Sequence, residues 1–292
     1  MTRLIERTCG DVNIAVAPEL GGALACLRWR GHDILRPFDM AGEKRANLCG
    51  SYPRVPWSNR IADGRFHFAG QAWQVARNFG DHPHALHGNC WQCAWLVQEN
   101  AENITLTLER PASDNWPWPW RATQVFSLTQ DSLTVTLSYQ NLADITVPAG
   151  LGFHPFFADA SQSEVRFSAP RVWLNDDNSL PCDEVATPEK WQYPTFSAPV
   201  PASVDNCFTG WNGKAAVRWP LRGIRATLTS DAPNAVFFIP GAERNVVAIE
   251  PVSHINNAIN MLPPGSDEQV MDLVAPGDVL RISMTVRMSD DE

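Results

Sequence analysis

Glu250 and His154 are the residues of this chain whose type and surroundings best suit proton transfer. Glu250 follows the apolar residues 246–249 and precedes Pro251, which cannot donate a hydrogen bond to a neighbouring strand. This pattern predicts a carboxylate at the rim of a β element, where the scaffold fixes its direction. His154 precedes Pro155, and a residue before proline is held extended. Both side chains can act as acid or base near neutral pH when their surroundings tune the pKa, although an exposed strand-end glutamate and a structural histidine are the ordinary alternatives.

Further polar residues could bind the hydroxyl groups of a small molecule. Asn59 and Arg60 come just before a predicted strand, and the arginine side chain offers several donors in a fixed planar arrangement. Asp205 lies in a segment that we predict to be a loop, where a side chain that only closes a turn is the alternative. These residues are therefore candidates for substrate binding rather than for chemistry.

Two motifs could hold a metal ion, and we expect neither to do so. His82, His84 and His87 have the spacing H-x-H-x-x-H, but no predicted helix aligns them and no distant carboxylate partner is evident. Cys90 and Cys93 form a single C-x-x-C motif without the second pair that a structural zinc site usually needs. A metalloenzyme built on the three histidines remains an alternative that metal analysis would test.

Composition and charge exclude several classes of function. The chain has 292 residues, of which 44% are hydrophobic and 19% are charged, as in a globular protein. Its net charge of −9 disfavours nucleic acid, an anionic membrane or a highly phosphorylated ligand as the main partner. Residues 1–7 lack the apolar core of a signal peptide, and no stretch approaches 18 apolar residues. The seven cysteines are scattered and odd in number, so we expect a cytoplasmic protein with reduced thiols.

Hydrophobic alternation predicts strands throughout the chain. Residues 65–75 read as a hairpin that turns at Gly70, and a second pair of strands surrounds residues 130–131. No amphipathic helix of three turns is evident, and 23 prolines and 18 glycines interrupt the chain at short intervals. The fold class predicted is all-β, with large antiparallel sheets packed face to face in one domain over residues 1–292. The clearest predicted strands are residues 12–16, 23–29, 103–109, 123–129, 132–139, 217–219, 224–229, 235–239, 246–249 and 279–286.

Five short motifs, in the same order along the chain, resemble those of the aldose 1-epimerases, the galactose mutarotase family. The resemblance covers most of the chain, and its strength comes from the order of the motifs because each alone is weak. Asn89 and Phe156 depart from the family pattern, which more often has glycine and tyrosine there. The motifs are Asn59-Arg60-Ile61-Ala62 with Gly64-Arg65-Phe66, Leu86-His87-Gly88, His154-Pro155-Phe156-Phe157, Asp205-Asn206-Cys207-Phe208 and Glu250-Pro251.

The resemblance implies a galactose mutarotase-like supersandwich fold and an isomerase that interconverts the anomers of a free aldohexose. Glu250 would be the base that takes the proton of the anomeric hydroxyl, and His154 would be the acid that protonates the ring oxygen. This chemistry needs no cofactor, because only protons are transferred. The expected partner is a small sugar such as galactose or glucose, and a homodimer is a further expectation. The residues expected to bind the sugar are Asn59, Arg60, His87 and Asp205.

Two alternatives share the fold. One is a sugar-binding or regulatory protein that has lost activity, since fold does not fix function. The other is a hexose-6-phosphate 1-epimerase, for which Arg54, Arg60, Arg65 and Arg77 could supply positive charge. The net charge of −9 offers no general attraction for a phosphate, so we expect neutral aldoses to be preferred. The tryptophans of residues 116–120 could either stack on a sugar or pack a loop.

Overall fold

Strands make up most of the chain in this computed structural model, which describes residues 3–261 and 270–291. The alternation of the sequence explains why: from Leu133 to Tyr139, every second side chain is apolar and buried. Within the described ranges the only helices are three-residue 3₁₀ turns. These are Ala46–Leu48, Ala62–Gly64, Cys90–Gln92, Ala160–Gln162, Glu189–Trp191, Pro220–Arg222, Ala242–Arg244 and Ala258–Asn260.

The strands of the described residues are numbered here in chain order. The first half of the chain contains β1 (Ile5–Cys9), β2 (Val12–Ala17), β3 (Ala23–Trp29), β4 (His32–Leu35), β5 (Pro53–Arg54), β6 (Arg60–Ile61), β7 (Arg65–Phe68), β8 (Gln71–Gln74), β9 (Ala85–Leu86), β10 (Leu96–Glu99), β11 (Asn103–Arg110), β12 (Trp120–Leu128) and β13 (Ser132–Asn141). The second half contains β14 (Val147–Ala149), β15 (Gly152–Phe153), β16 (Phe156–Ala158), β17 (Glu164–Phe167), β18 (Arg171–Asn175), β19 (Pro181–Ala186), β20 (Tyr193–Ser197), β21 (Val204–Thr209), β22 (Lys214–Trp219), β23 (Ile224–Ser230), β24 (Asn234–Ile239), β25 (Val246–Val252), β26 (Asp272–Val274) and β27 (Val279–Asp290).

Two large antiparallel sheets form the body of the molecule. The first follows the order β1-β2-β3-β4-β16-β25-β24-β21-β18-β19, with β15 joined to both β25 and β5. The second follows the order β10-β11-β12-β13-β27-β23-β22-β17-β20. Strands far apart in sequence are thus neighbours in space, and the centre of the first sheet brings β16, β25, β24 and β21 side by side.

The two sheets pack against each other through aromatic side chains. Phe167 of β17 lies with its ring centroid 5.2 Å from that of Phe208 in β21 and 4.8 Å from that of Phe237 in β24. The indole of Trp219 in β22 donates a hydrogen bond to the backbone carbonyl of Ala158 in β16. These contacts confirm the predicted antiparallel β-sandwich. A single domain over the whole chain stays a prediction.

Candidate functional site

All six predicted site residues line one cavity of about 400 Å³ at the centre of the first sheet. They come from separate parts of the chain and meet only through the fold. Glu250 lies on β25 and Asp205 on β21, while His154 occupies the break between β15 and β16. The remaining three residues lie on or beside the short pair of β6 and β9, and they are Asn59, Arg60 and His87.

The pairing register of the sheet places His154 opposite Glu250. Gly152 pairs with Val252 and Phe156 pairs with Ala248, so the same register carried between them makes residue 154 the partner of residue 250. Pro155, which cannot donate a ladder hydrogen bond, lies with His154 in the break between β15 and β16. His154 Nε2 lies 3.1 Å from Glu250 Oε1.

Arg54 holds the other oxygen of the same carboxylate. Its Nη1 donates a hydrogen bond of 2.7 Å to Glu250 Oε2, and its Nη2 donates to the backbone carbonyl of Phe153. Arg54 is fully buried and Glu250 is only 2% exposed, so the carboxylate is fixed between a guanidinium and an imidazole. A base held in this way is aligned before a substrate enters.

Burial shifts the pKa values of Glu250 and His154 in opposite directions. Burial raises the pKa of Glu250 to about 7, and the positive charge of Arg54 opposes this rise. Burial also lowers the pKa of His154 well below its usual value, and Arg54 lowers it further. Near neutral pH the pair therefore gains or loses a single proton, which is what an acid–base pair requires.

His87 is held in one tautomer by the backbone of Asn59. The backbone N–H of Asn59 donates to the ring nitrogen Nδ1 of His87 over 3.0 Å. In return, the backbone N–H of His87 donates to the backbone carbonyl of Asn59 over 2.8 Å. Burial lowers the pKa of His87 well below its usual value, so the ring is neutral and its proton lies on Nε2. In the described chain Nε2 has no protein partner, and it can donate a hydrogen bond to a ligand. His87 also has a φ of 61°, a strained conformation that is typical of functional sites.

Arg60 and Asp205 form a second polar contact in the cavity. Arg60 Nη2 lies 3.3 Å from Asp205 Oδ2, and its Nη1 donates to the side-chain oxygen of Asn59 over 3.1 Å. The side chain of Asp205 is 43% exposed, so it remains accessible to a ligand. This contact combines donors and an acceptor, which suits the binding of hydroxyl groups.

Two predictions about local structure were wrong. Glu250 does not lie at the rim of a strand, because β25 continues through Pro251 to Val252 and Glu250 pairs with Val236 of β24. Asp205 is not in a loop but in β21, where it pairs with Phe238. In both cases pairing with neighbouring strands overrides the local signal of proline or of a polar run.

His82, His84 and the tryptophans of residues 116–120 make contacts with other protein groups, although His82 also lines the cavity. His82 and His84 each accept a backbone N–H at Nδ1, from His84 and Asp63 respectively. Trp116 is fully buried, with its ring centroid 5.2 Å from that of Trp57. The sequence left open whether the tryptophans stack on a sugar or pack a loop, and Trp116 packs within the protein. Within residues 3–261 and 270–291, no group of three or more potential metal ligands is found, and no helix there has the length and apolarity needed to cross a bilayer.

Sequence reasoning missed several residues of the cavity. Tyr52 stacks on His154 with ring centroids 4.7 Å apart, and its segment carried no motif. Arg54 was considered only as a candidate for phosphate binding, whereas it contacts Glu250. Arg36 and Arg244 also line the cavity, although they lie in segments that drew no functional interpretation. A lone arginine carries no sequence signal that distinguishes a surface position from a cavity.

Comparison with known proteins agrees with the fold described above. The sequence model of the family described as aldose 1-epimerase matches residues 8–287. The uncharacterised protein YphB of Escherichia coli K12 is 30% identical over 268 residues, which cover 87% of this chain and 88% of YphB. A crystal structure from the same organism, provisionally named an aldose 1-epimerase, superimposes with a TM-score of 0.87 at 26% identity and covers 99% of this chain and 100% of that one. The galactose 1-epimerase of Lactobacillus acidophilus shares the fold, with a TM-score of 0.80 at 14% identity over 99% and 95% of the two chains.

Proposed function

Because the chain belongs to the aldose 1-epimerase family, we propose that it is a mutarotase, which interconverts the α and β anomers of an aldohexose such as galactose or glucose. The observation that carries this proposal is the contact of 3.1 Å between His154 Nε2 and Glu250 Oε1 in the wall of a sugar-sized cavity. The anomeric hydroxyl and the ring oxygen of a pyranose are bonded to the same carbon. A base and an acid that lie side by side can therefore reach both oxygens at once.

The reaction begins when Glu250 takes the proton from the anomeric hydroxyl. His154 gives its Nε2 proton to the ring oxygen, and the bond between that oxygen and the anomeric carbon breaks. The resulting aldehyde rotates about its carbon–carbon bond. The ring then closes on the other face of the carbonyl, with His154 removing the proton from the attacking hydroxyl and Glu250 returning one to the new anomeric oxygen.

The remaining cavity residues bind and orient the sugar. His87, neutral and bonded to Asn59 through Nδ1, donates from Nε2 to a sugar oxygen near the reacting centre. Arg60 and Asp205 supply donors and an acceptor for hydroxyl groups farther from the anomeric carbon. These contacts align the substrate, and alignment of reacting groups accounts for a large part of enzymatic rate enhancement.

The test is the rate at which pure anomers equilibrate. Fresh α-glucose and α-galactose are followed by polarimetry or by the NMR signals of their anomeric protons, with the spontaneous rate subtracted. We expect enzyme-dependent equilibration in the absence of any added cofactor. A purified, folded protein that binds these sugars without accelerating equilibration would instead identify a sugar-binding protein on the same fold.

A further inference from the structure

The cavity that contains Glu250 has an excess of positive charge. Its two carboxylates are both engaged, since Glu250 contacts Arg54 at 2.7 Å and Asp205 contacts Arg60 at 3.3 Å. The lining also includes the arginines Arg36, Arg45, Arg60 and Arg244.

Two of these arginines have no carboxylate partner within residues 3–261 and 270–291. Arg45 lies 2.9 Å from Glu43, and Arg60 is paired as described, but Arg36 and Arg244 form no ion pair there. Burial lowers the pKa of Arg36 to about 10, and the nearby charge of Arg244 lowers it further. A partly buried cation is costly without an anion beside it, so this pair of charges favours an anionic ligand.

Arg36 is fixed in position by contacts that leave part of its guanidinium available. Its Nη2 donates to the backbone carbonyls of Asn47 and Cys49 over 2.6 Å and 2.8 Å, and its Nε also donates to Cys49. The guanidinium lies 4.1 Å from the centroid of the Phe156 ring, a favourable cation–π contact. In the described chain Nη1 has no protein partner. A planar cation oriented in this way is suited to an oxyanion.

The position of Arg36 in the cavity indicates which group of the sugar it would contact. The Phe156 ring lies with its centroid 4.3 Å from that of His154, so Arg36 is on the His154 side of the cavity. In the proposed reaction His154 protonates the ring oxygen. The carbon next to the ring oxygen, on the side away from the anomeric carbon, bears the C6 group of an aldohexose. A charged group at C6 would therefore be directed towards Arg36 and Arg244.

We propose that the substrate is an acidic aldohexose, and that Arg36 and Arg244 bind an oxyanion at its C6 position. This inference rests on the proposed mutarotase activity and specifies its substrate class. It reverses the preference for neutral aldoses expected from the net charge of −9. The reversal has a physical basis, because charges that line a cavity act on the ligand at short range and total charge acts only weakly through screening solvent.

The test compares kcat/KM for glucose with kcat/KM for three acidic analogues: glucuronate, glucose 6-sulfate and glucose 6-phosphate. We expect at least one acidic sugar to be preferred over glucose by about tenfold or more, the effect of one charge-assisted hydrogen bond. The preferred analogue identifies the oxyanion as a carboxylate, a sulfate or a phosphate. Equal or higher kcat/KM for glucose than for every acidic sugar would overturn the inference and leave mutarotase activity established. No acceleration for any of the four sugars would overturn the proposed function, and the inference with it.

The variant Arg244→Met tests whether the preference for acidic sugars arises from the arginines of the cavity. Arg244 is exposed at the cavity rim, so its replacement should not prevent folding, whereas Arg36→Met also removes bonds to Asn47 and Cys49. We expect Arg244→Met to lower the ratio of acidic to neutral kcat/KM by about tenfold, mainly through a higher KM for the acidic sugar. The control is Arg281→Met, which removes the same charge from an exposed arginine on β27 of the other sheet. An equal ratio in Arg244→Met and in Arg281→Met would contradict the assignment.

Discussion

The contact between Glu250 and His154 is the smallest unit that determines the proposed activity. The two side chains are joined at 3.1 Å and are almost completely buried. Buried groups this close titrate together, so a proton that leaves one changes the affinity of the other. The pair, rather than either residue, should therefore control the rate and its pH dependence.

Glu250→Gln tests the proposed base. Glutamine has nearly the same size and keeps hydrogen bonds, but it cannot accept a proton from the anomeric hydroxyl. We expect turnover to fall by at least about 100-fold, the lower end for a positioned acid–base group, while sugar binding persists. Mutarotation corrected for the spontaneous rate measures turnover, and tryptophan fluorescence follows binding.

His154→Asn should also be severely impaired, and the double variant should lose far less activity than the product of the two single losses. A folded Glu250→Gln protein with near-normal turnover would exclude Glu250 as the base.

The pH dependence of kcat/KM follows from proton counting. The pair shares one titratable proton. In the productive form this proton is on His154, as an imidazolium, and Glu250 is ionised. This form exchanges with the one in which Glu250 holds the proton and His154 is neutral. Since burial raises the pKa of Glu250 to about 7, the pair keeps its proton below that pH and loses it above. We therefore expect kcat/KM to decline as the pH rises through about 7. A second decline belongs at a lower pH, where both groups are protonated, because the pKa of His154 is lowered. Rates measured across this range with glucuronate and glucose check the profile, and a rate that rises steadily above neutral pH would contradict it.

Two strand segments carry the proposed catalytic carboxylate and its cationic partner. Glu250 lies on β25, and Arg54 lies on β5, which joins the same sheet through β15. Their bond of 2.7 Å ties the two segments together beneath the cavity. We therefore propose that Arg54 is a positioning residue that orients Glu250, and its positive charge favours the ionised form of that carboxyl group.

Arg54→Met should move the alkaline decline of kcat/KM to higher pH. The positive charge of Arg54 lowers the pKa of both Glu250 and His154, so its removal lets the pair hold its proton longer. Loss of one partner of a buried ion pair should also lower the free energy of unfolding by about 3–5 kcal/mol. Arg54→Lys retains the charge and should shift the decline less. Circular dichroism and denaturant unfolding verify the fold of both variants, and an unchanged pH profile in folded Arg54→Met would refute the positioning role.

The architecture of the whole molecule supports the expectation of cofactor-free chemistry. The first sheet carries the proposed acid and base, and the separate pair of β6 and β9 carries most of the proposed binding groups. His84 and His87 each use Nδ1 to accept a backbone N–H. A metal bound through these histidines would have to displace those hydrogen bonds.

Prolonged chelation followed by dialysis should therefore leave mutarotase activity unchanged. The measurement is the rate of anomer equilibration before and after treatment, together with metal analysis of the purified protein. The control is the same treatment with zinc added back. Loss of activity that zinc restores, with stoichiometric metal in the untreated protein, would show that a metal is required.

The sequence by itself determined the strands and the identity of the candidate residues. Alternating apolar residues, as in Ser132–Asn141, predict strands because side chains of a strand point alternately to its two faces. The motifs around His154 and Glu250 predict proton transfer from residue type and neighbours alone. The all-β fold and the family assignment were confirmed, and the roles of the individual site residues stay predictions.

Only the tertiary structure decided how these residues meet. His154 and Glu250 are 96 positions apart, and the register of β15 and β16 against β25 places them opposite each other. Register depends on the packing of entire strands, so a local pattern cannot reveal it. The same holds for charge. Composition determines only the total of −9. The fold places Arg36 and Arg244 at one cavity, because pairing between distant strands brings their segments together.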